Sequence, residues 1–261
     1  MNLYLGILRK TFLQQFMFRS EIVFGIIGSL LRILIQISIW TALLAGGSVQ
    51  NITLSDMVTF TILSFVVGLF TWTDLARVLG RKVKSGTIAI DLVRPINLKL
   101  FLVSEDISQH FFTLLSSGIP VVIIATIVWG IQLPPLPIFL LFLLSLILAI
   151  WLMYSLDYTM GVLVFWITND QYLSFMKGSL MTIFSGSLIP LWFYPDWLLR
   201  IGFFLPYRLI VFEPISIFLG HISWDEALNI IFMQLLWIAI LYAAEKVLWH
   251  KAQKHVFVQG G

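Results

Sequence analysis

The chain has 261 residues, of which 59% are hydrophobic and 11% are charged, and its mean hydropathy is +0.98. A soluble domain is about 45–50% apolar and about 25% charged, and a disordered chain has still less apolar surface, so both classes are excluded. The sequence contains no cysteine, which excludes disulfides and thiolate metal sites. The composition therefore indicates an integral membrane protein, in which the positions of the cations matter more than the formal net charge of +3.

The N-terminal segment, residues 1–21, predicts an interfacial helix. Within residues 3–17, Leu5 and Phe12 share an apolar face, and Lys10 lies on the opposite face. A helix of this kind lies flat in the membrane interface. Its role is either that of a simple anchor or that of a mechanical elbow, and the pattern favours neither.

Six apolar runs are long enough to cross a bilayer, which takes about 20 residues. They are residues 22–45, 57–76, 107–131, 138–166, 172–190 and 226–245. Lipid offers no partner to exposed backbone groups, so each run is expected to be α-helical and the predicted fold is all-α. With both termini in the cytoplasm, thirteen of the sixteen Lys and Arg residues lie on the inner side, as the positive-inside rule requires.

Arg32 in the first predicted span and Asp157 in the fourth are ionisable residues that lie well away from the ends of their spans. Each is about ten residues from the inner end of its run, or about 15 Å deep at 1.5 Å per residue. Equal depth and opposite sign suggest an intramembrane salt bridge, which would order the helix bundle. Two alternatives remain open: Arg32 faces an anionic substrate in a cavity, or Asp157 carries a proton.

The longest predicted cytoplasmic loop, residues 77–104, carries six of the cations. Gly86 and Pro95 interrupt it, and a short amphipathic stretch with Ile88 and Leu92 lies between them. A basic loop contacts anionic headgroups at about 1 kcal/mol per cation near the surface. The more specific hypothesis is a docking surface for a cytosolic partner.

Small residues recur every four positions in the fifth predicted span, at Ser174, Gly178, Thr182 and Gly186. Such a stripe allows two helix backbones to approach closely. It indicates either a seam near a dimer axis or packing within one subunit.

Residues 191–225 are too apolar for an exposed loop and too interrupted for a span. Four prolines at or near this segment, Pro190, Pro195, Pro206 and Pro214, disfavour a continuous helix. Short re-entrant helices in the outer leaflet fit this pattern, because irregular backbone is tolerated there when protein covers it. A seventh span would place the cationic C-terminal tail outside.

Three stretches resemble a bacterial branch of the type-2 ABC exporter permeases. They are Thr73-Asp74-Leu75-Ala76-Arg77, Ser85-Gly86-Thr87 and Leu92-Val93-Arg94-Pro95-Ile96-Asn97. The resemblance extends over essentially the whole chain, which would form a single permease domain. It implies a half-transporter in the bacterial inner membrane, with a second permease chain of the same or a homologous kind. A cytosolic ABC ATPase dimer, which holds ATP and Mg, would drive the pair.

The resemblance also implies roles for particular segments. The contact with the ATPase would be a coupling helix within residues 81–97. Its contact residues would be Arg81, Lys82, Lys84, Gly86, Thr87, Leu92, Arg94 and Pro95. The second and fifth spans would line the path, and residues 191–222, with the four prolines, would form an external gate.

No motif in the sequence predicts a catalytic site or a cofactor in this chain. The Gly-x-x-x-x-Gly-Lys-[Ser/Thr] loop that binds ATP is absent from the sequence, and no nucleic-acid module is recognised. The largely apolar path favours a hydrophobic or amphiphilic cargo, such as a drug, an antimicrobial peptide or a lipid-like molecule. The alternative function is that of an ATP-independent channel or secondary carrier.

Overall fold

A computed structural model describes residues 3–15, 19–48, 52–93, 97–167 and 170–256. Within these ranges the protein is helical and contains no β-strand, which confirms the predicted all-α class. The helices are α1 Leu3–Gln15, α2 Arg19–Leu43, α3 Leu54–Thr71, α4 Leu75–Lys84, α5 Ile88–Val93, α6 Leu98–Thr113, α7 Ile119–Trp129, α8 Leu136–Val162, α9 Asp170–Phe184, α10 Asp196–Phe203, α11 Phe212–Leu219 and α12 Trp224–Val256.

Five helical stretches of the described chain are long and apolar enough to cross a membrane. They are Ile22–Leu43, Leu54–Lys84, Leu98–Trp129, Leu136–Phe165 and Trp224–Gln253. Each overlaps one of the predicted spans, so the protein is a multi-pass membrane protein. The fifth predicted span, residues 172–190, corresponds to α9, which has 15 residues and ends at Phe184. The six-span topology and the cytoplasmic termini stay predictions.

Two of these helices begin with reciprocal capping boxes, which fix their first residues. The Asp56 amide donates to Thr53 Oγ1 at 3.2 Å, and the Thr53 amide donates to Asp56 Oδ2 at 2.8 Å, before α3. Ser223 and Glu226 make the same two bonds before α12. Each box satisfies amides that the first turn leaves without partners.

The segment predicted as a loop, residues 77–104, is largely helical. A break at residues 72–74 separates α3 from α4, and a turn at residues 85–87 separates α4 from α5. Gly86 adopts a φ of +71° in this turn, a conformation that glycine reaches without strain. The chain therefore crosses this region as two short helices and the start of α6.

The third span begins nine residues before its predicted start. Asn97 caps α6 by accepting a hydrogen bond from the Leu100 amide at 3.1 Å, and a π-helical turn, Leu114–Gly118, connects α6 to α7. The polar residues Lys99 and Glu105 gave this stretch the composition of a loop. Lys99 nevertheless lies within α6, because it forms an ion pair with Glu245 of α12.

The N-terminal helix α1 packs along α6. Ser108 on α6 donates to the Leu8 carbonyl oxygen at 2.7 Å, and the rings of Phe12 and Phe112 lie 5.5 Å apart. The predicted helix is confirmed over Leu3–Gln15. Its position at the membrane interface stays a prediction.

The main hydrophobic core lies where α8 packs against α12, and where α11 packs against α8 and α3. The four prolines start or join short helices here instead of interrupting one long helix. Pro190 precedes a 3-10 turn, Pro195 precedes α10, Pro206 begins a second 3-10 turn, and Pro214 lies in the first turn of α11. The helices are confirmed, and their re-entry into the membrane stays a prediction.

Candidate functional site

A buried charge cluster joins the break between α3 and α4 to α8 and α9. Asp157 on α8 is fully buried, and its Oδ1 lies 2.8 Å from Nζ of Lys177 on α9. Its other oxygen accepts hydrogen bonds from the Leu75 amide, at 2.8 Å, and from the Thr73 hydroxyl. Lys177 also donates to the Thr73 carbonyl oxygen. We call these four residues the Asp157 cluster.

Asp157 acts as a helix cap supplied from a distant part of the chain. Asp74 occupies the N-cap position of α4, but its side chain makes no capping hydrogen bond. The Asp157 carboxylate instead accepts from the first amide of α4, where a negative charge also interacts favourably with the helix dipole. The beginning of α4 is therefore held by α8 and α9.

The predicted salt bridge between Arg32 and Asp157 is wrong, because Asp157 pairs with Lys177. Depth alone did not identify the partner: Asp157 lies eight residues from the end of the span Leu136–Phe165, near the predicted depth, but the cation beside it is on α9 and not on α2. Lys177 lies seven residues into α9, at a comparable distance from the helix end. It is only 6% exposed, and its side chain is occupied by Asp157 and the Thr73 carbonyl.

A further ion pair and a tyrosine–carboxylate hydrogen bond lie beside the Asp157 cluster, and hydropathy did not indicate them. Lys99 on α6 contacts Glu245 on α12 at 2.6 Å, and its Nζ lies 3.0 Å from the Ser155 hydroxyl. The Tyr154 hydroxyl donates to Asp106 on α6 at 2.8 Å. A sequence signal was available, because the polar residues at positions 154, 155, 157 and 158 point in several directions around α8 and therefore require more than one partner helix.

Arg32 lies halfway along α2 and faces a cleft with a volume of about 420 Å³. We call this space the Arg32 cleft. Its walls come from α2, α3, the α6 segment and α9, together with residues 187 and 188. Gln36 on α2 donates to the Leu188 carbonyl oxygen at 3.3 Å, across one end of the cleft. This geometry matches the alternative in which Arg32 faces a cavity.

The predicted coupling residues lie around the turn between α4 and α5. Arg81 is exposed, and Lys82 makes an ion pair with Asp91 of α5 at 2.6 Å. Lys84, Gly86 and Thr87 are also exposed, and Leu92 is half-buried. Arg94 and Pro95 lie outside the described residues. The turn therefore presents cations and small side chains, while the Lys82–Asp91 pair holds the two helices together.

The predicted small-residue stripe is shorter than its spacing suggested. Ser174, Gly178 and Thr182 lie on α9, and no atom lies within 4 Å of the position that a Cβ on Gly178 would occupy. Gly186 lies beyond the end of α9, with a φ of +74° and with Phe212 Cβ 3.0 Å from its own Cβ position. Its place in the stripe was wrong, because it closes the turn that brings this segment against α11.

The proline-rich segment contains a partly buried ion pair between Arg208 and Glu213. Burial raises the pKa of the Glu213 carboxyl, and the adjacent Arg208 opposes this rise. Pro206 and Pro214, which flank this pair in sequence, are both buried. The segment is therefore packed into the protein, and its role as a gate is untested.

Comparison with known proteins gives one family. The model of the family described as "ABC-2 family transporter protein" matches residues 26–260. No curated protein matches the chain.

Proposed function

Since the chain belongs to the ABC-2 family of transporters, we propose that it is the permease subunit of an ATP-driven exporter in a bacterial inner membrane. Its cargo is a hydrophobic or amphiphilic molecule, and its partners are a cytosolic ABC ATPase dimer and a second permease chain. ATP and Mg bind to the ATPase and not to this chain. The observation that carries the proposal is the bonded route from the α4–α5 turn, through the Asp157 cluster, to the helices around the Arg32 cleft.

The α4–α5 turn supports an ATPase contact by its composition and its rigidity. Its exposed cations suit an acidic cleft on a cytosolic partner, and the Lys82–Asp91 pair at 2.6 Å connects the two helices. Two short helices held together in this way move as a unit when a partner displaces the turn, whereas an irregular loop would deform. Arg81 and Ser85 are among its exposed side chains.

The Asp157 cluster supports transmission of a displacement of the α4–α5 turn to the membrane helices. The first amide of α4 is bonded to Asp157, and Thr73, just before α4, is bonded to Asp157 and Lys177. A displacement of α4 therefore acts on α8 and α9 together. ATP changes the transporter only if these contacts differ in free energy between the inward and outward states.

The segment after α9 supports the outer gate. The Phe212 amide donates to the Ser185 carbonyl oxygen at 3.0 Å, and the Gln36 bond to Leu188 connects the same segment to α2. A shift of α9 therefore reaches both α11 and the end of the Arg32 cleft. The buried prolines hold the short helices of this region in place.

The test is isolation of the full chain with the ABC ATPase encoded beside its gene, followed by reconstitution in liposomes. We expect the two proteins to copurify and solute movement to require ATP hydrolysis. Flux through the chain alone, unchanged by ATP and by the ATPase, would contradict the proposal and support the channel or carrier. The cargo class is tested with the same liposomes by comparing apolar, amphiphilic and hydrophilic solutes.

A further inference from the structure

The Arg32 cleft contains a cation in the middle of a membrane helix. Arg32 is the eleventh residue of the 22-residue span Ile22–Leu43, and its side chain is exposed to the cleft. A charged group at this depth is costly unless it meets water, another charge or a ligand. Arg32 makes no ion pair with any described residue.

The walls of the cleft contain no acidic side chain that could neutralise Arg32. The lining residues include neither Asp nor Glu. His110 is the other titratable residue in the wall, and its Nε2 lies 3.0 Å from Asp106 on α6. Asp106 is itself already bonded to His110 and to the Tyr154 hydroxyl. The charge that faces the cleft is therefore positive.

Arg32 is the group of the cleft whose hydrogen bonds suit an anion. The hydroxyls of Thr61, Thr113 and Thr182 already donate to carbonyl oxygens of their own helices. Arg32 offers five N–H donors in a planar fork, an arrangement that matches the oxygens of a carboxylate, sulfate or phosphate.

The remaining walls are apolar and the cleft is open on one side. Phe65, Leu69 and Trp72 of the α3 segment line it, together with Ile33 and Leu188. An alkyl chain that lies against these apolar side chains stays out of water while its headgroup reaches Arg32.

We propose that the Arg32 cleft binds the anionic headgroup of an amphiphile, with one phosphate, sulfate or carboxylate on Arg32 and the alkyl part along α2, α3 and α9. This inference deepens the proposed function and rests on it for the view that the bound molecule is cargo. The binding itself requires no ATPase. The headgroup has the same chemistry whether the amphiphile is a bilayer phospholipid or an exported product.

The test uses the full chain in phosphatidylcholine nanodiscs and radiolabelled dodecyl phosphate, with empty nanodiscs as background. We expect saturable binding that unlabelled dodecyl phosphate displaces at least about tenfold better than dodecyltrimethylammonium or dodecyl maltoside, a difference that corresponds to one charge-assisted contact. Equal displacement by the cationic and anionic probes overturns the proposal. This comparison uses the unaltered protein and does not depend on the folding of a variant.

A variant series then assigns the binding to Arg32. Arg32→Gln should weaken dodecyl phosphate binding at least about tenfold, Arg32→Lys should retain most of it, and the control Arg200→Gln should leave it unchanged. Arg200 is exposed on α10 and does not line the cleft. Unchanged binding in a folded Arg32→Gln protein overturns the proposal.

A final pair of measurements identifies the source of the ligand and separates ligand binding in the cleft from the proposed ATP-driven transport. If phosphatidylglycerol added to the nanodiscs competes with dodecyl phosphate, the ligand is a bilayer lipid. If it does not compete, the ligand is a different anionic amphiphile. Copurification with the ATPase should be the same for Arg32→Gln and the unaltered chain. If Arg32→Gln loses dodecyl phosphate binding but still copurifies with the ATPase, the defect lies in the cleft alone. If the unaltered chain copurifies with no ATPase, only the proposed function is overturned.

Discussion

Asp157 joins three parts of the molecule at one carboxylate. Its oxygens contact Lys177 on α9 and cap the first turn of α4, while its backbone belongs to α8. Removal of one partner from a buried ion pair leaves an uncompensated charge, and it costs far more than the net contribution of the pair. The cluster is therefore sensitive to single substitutions and more tolerant of paired ones.

Lys177→Met should lower the free energy of unfolding by about 3–5 kcal/mol, because Asp157 loses its cation. The double variant Lys177→Met with Asp157→Asn should recover much of this loss, since the amide oxygen still accepts from Leu75. Lys251→Met, an exposed position on α12, is the control and should change little. Denaturant titration followed by tryptophan fluorescence measures all three, and a double variant as unstable as Lys177→Met would contradict the account.

Gly186 and Gly178 form a second test at the level of single residues. Gly186→Ala should destabilise the protein by about 1–3 kcal/mol, because its φ of +74° is strained for alanine and Phe212 Cβ lies 3.0 Å from the new Cβ. Gly178→Ala meets no neighbouring atom within 4 Å and should be tolerated. The same unfolding measurement compares the two, and equal stabilities would show that the turn after α9 is not fixed as described.

At the scale of elements, the α4–α5 turn and α9 each present a surface that the chain leaves open. The cations of the turn are not equivalent, because Lys82 is bonded to Asp91 whereas Arg81 is exposed. Reversal of charge at Lys82 would disturb the turn itself. Arg81 is therefore the residue that reports on an external partner.

Arg81→Glu should lower the ATPase activity that the permease stimulates, because the contact with the ATPase loses an attractive charge and gains a repulsive one. A several-fold loss is expected, with the permease itself still folded and inserted. Arg200→Glu, which reverses an exposed cation on the proline-rich segment, is the control. Normal stimulated activity in Arg81→Glu would remove Arg81 from the coupling contact.

Gly178→Leu tests whether the open face of α9 contacts a second permease chain. If it does, a large side chain there should weaken the permease dimer about tenfold or more and leave the fold of one chain intact, since close helix contacts require small residues. Ala239→Leu on the exposed face of α12 is the matched control. Dimer content is measured by single-molecule photobleaching in nanodiscs, and an unchanged dimer in Gly178→Leu would contradict the seam.

Hydropathy predicted most of the spans because lipid imposes a length and a composition on each helix. It misplaced the start of the third span because Lys99 and Asp106 have partners on other helices, and a single run of sequence does not reveal them. The same limit explains Asp157, for which depth alone did not identify the partner. Gly186 was misassigned because a regular spacing of small residues does not reveal where a helix ends.

At the scale of the whole molecule, the chain leaves much apolar surface uncovered. Only 11% of the most apolar part of Ile22–Leu43 is buried, against 50% for Leu54–Lys84. The span that carries Arg32 is therefore the least buried of the five spans in the described part of the chain. Lipid and a second permease chain are the partners that the proposed half-transporter provides for this surface.

The most direct test of the coupling claim uses the absence of cysteine from the chain. A single Ser85→Cys variant places one thiol in the exposed turn between α4 and α5, and Asp225→Cys places one at the exposed start of α12. Each is labelled with a thiol-reactive photocrosslinker in the intact complex with the ATPase. The account predicts a crosslink to the ATPase from position 85 and none from position 225; an ATPase crosslinked only from position 225, or from neither site in an intact complex, would contradict it.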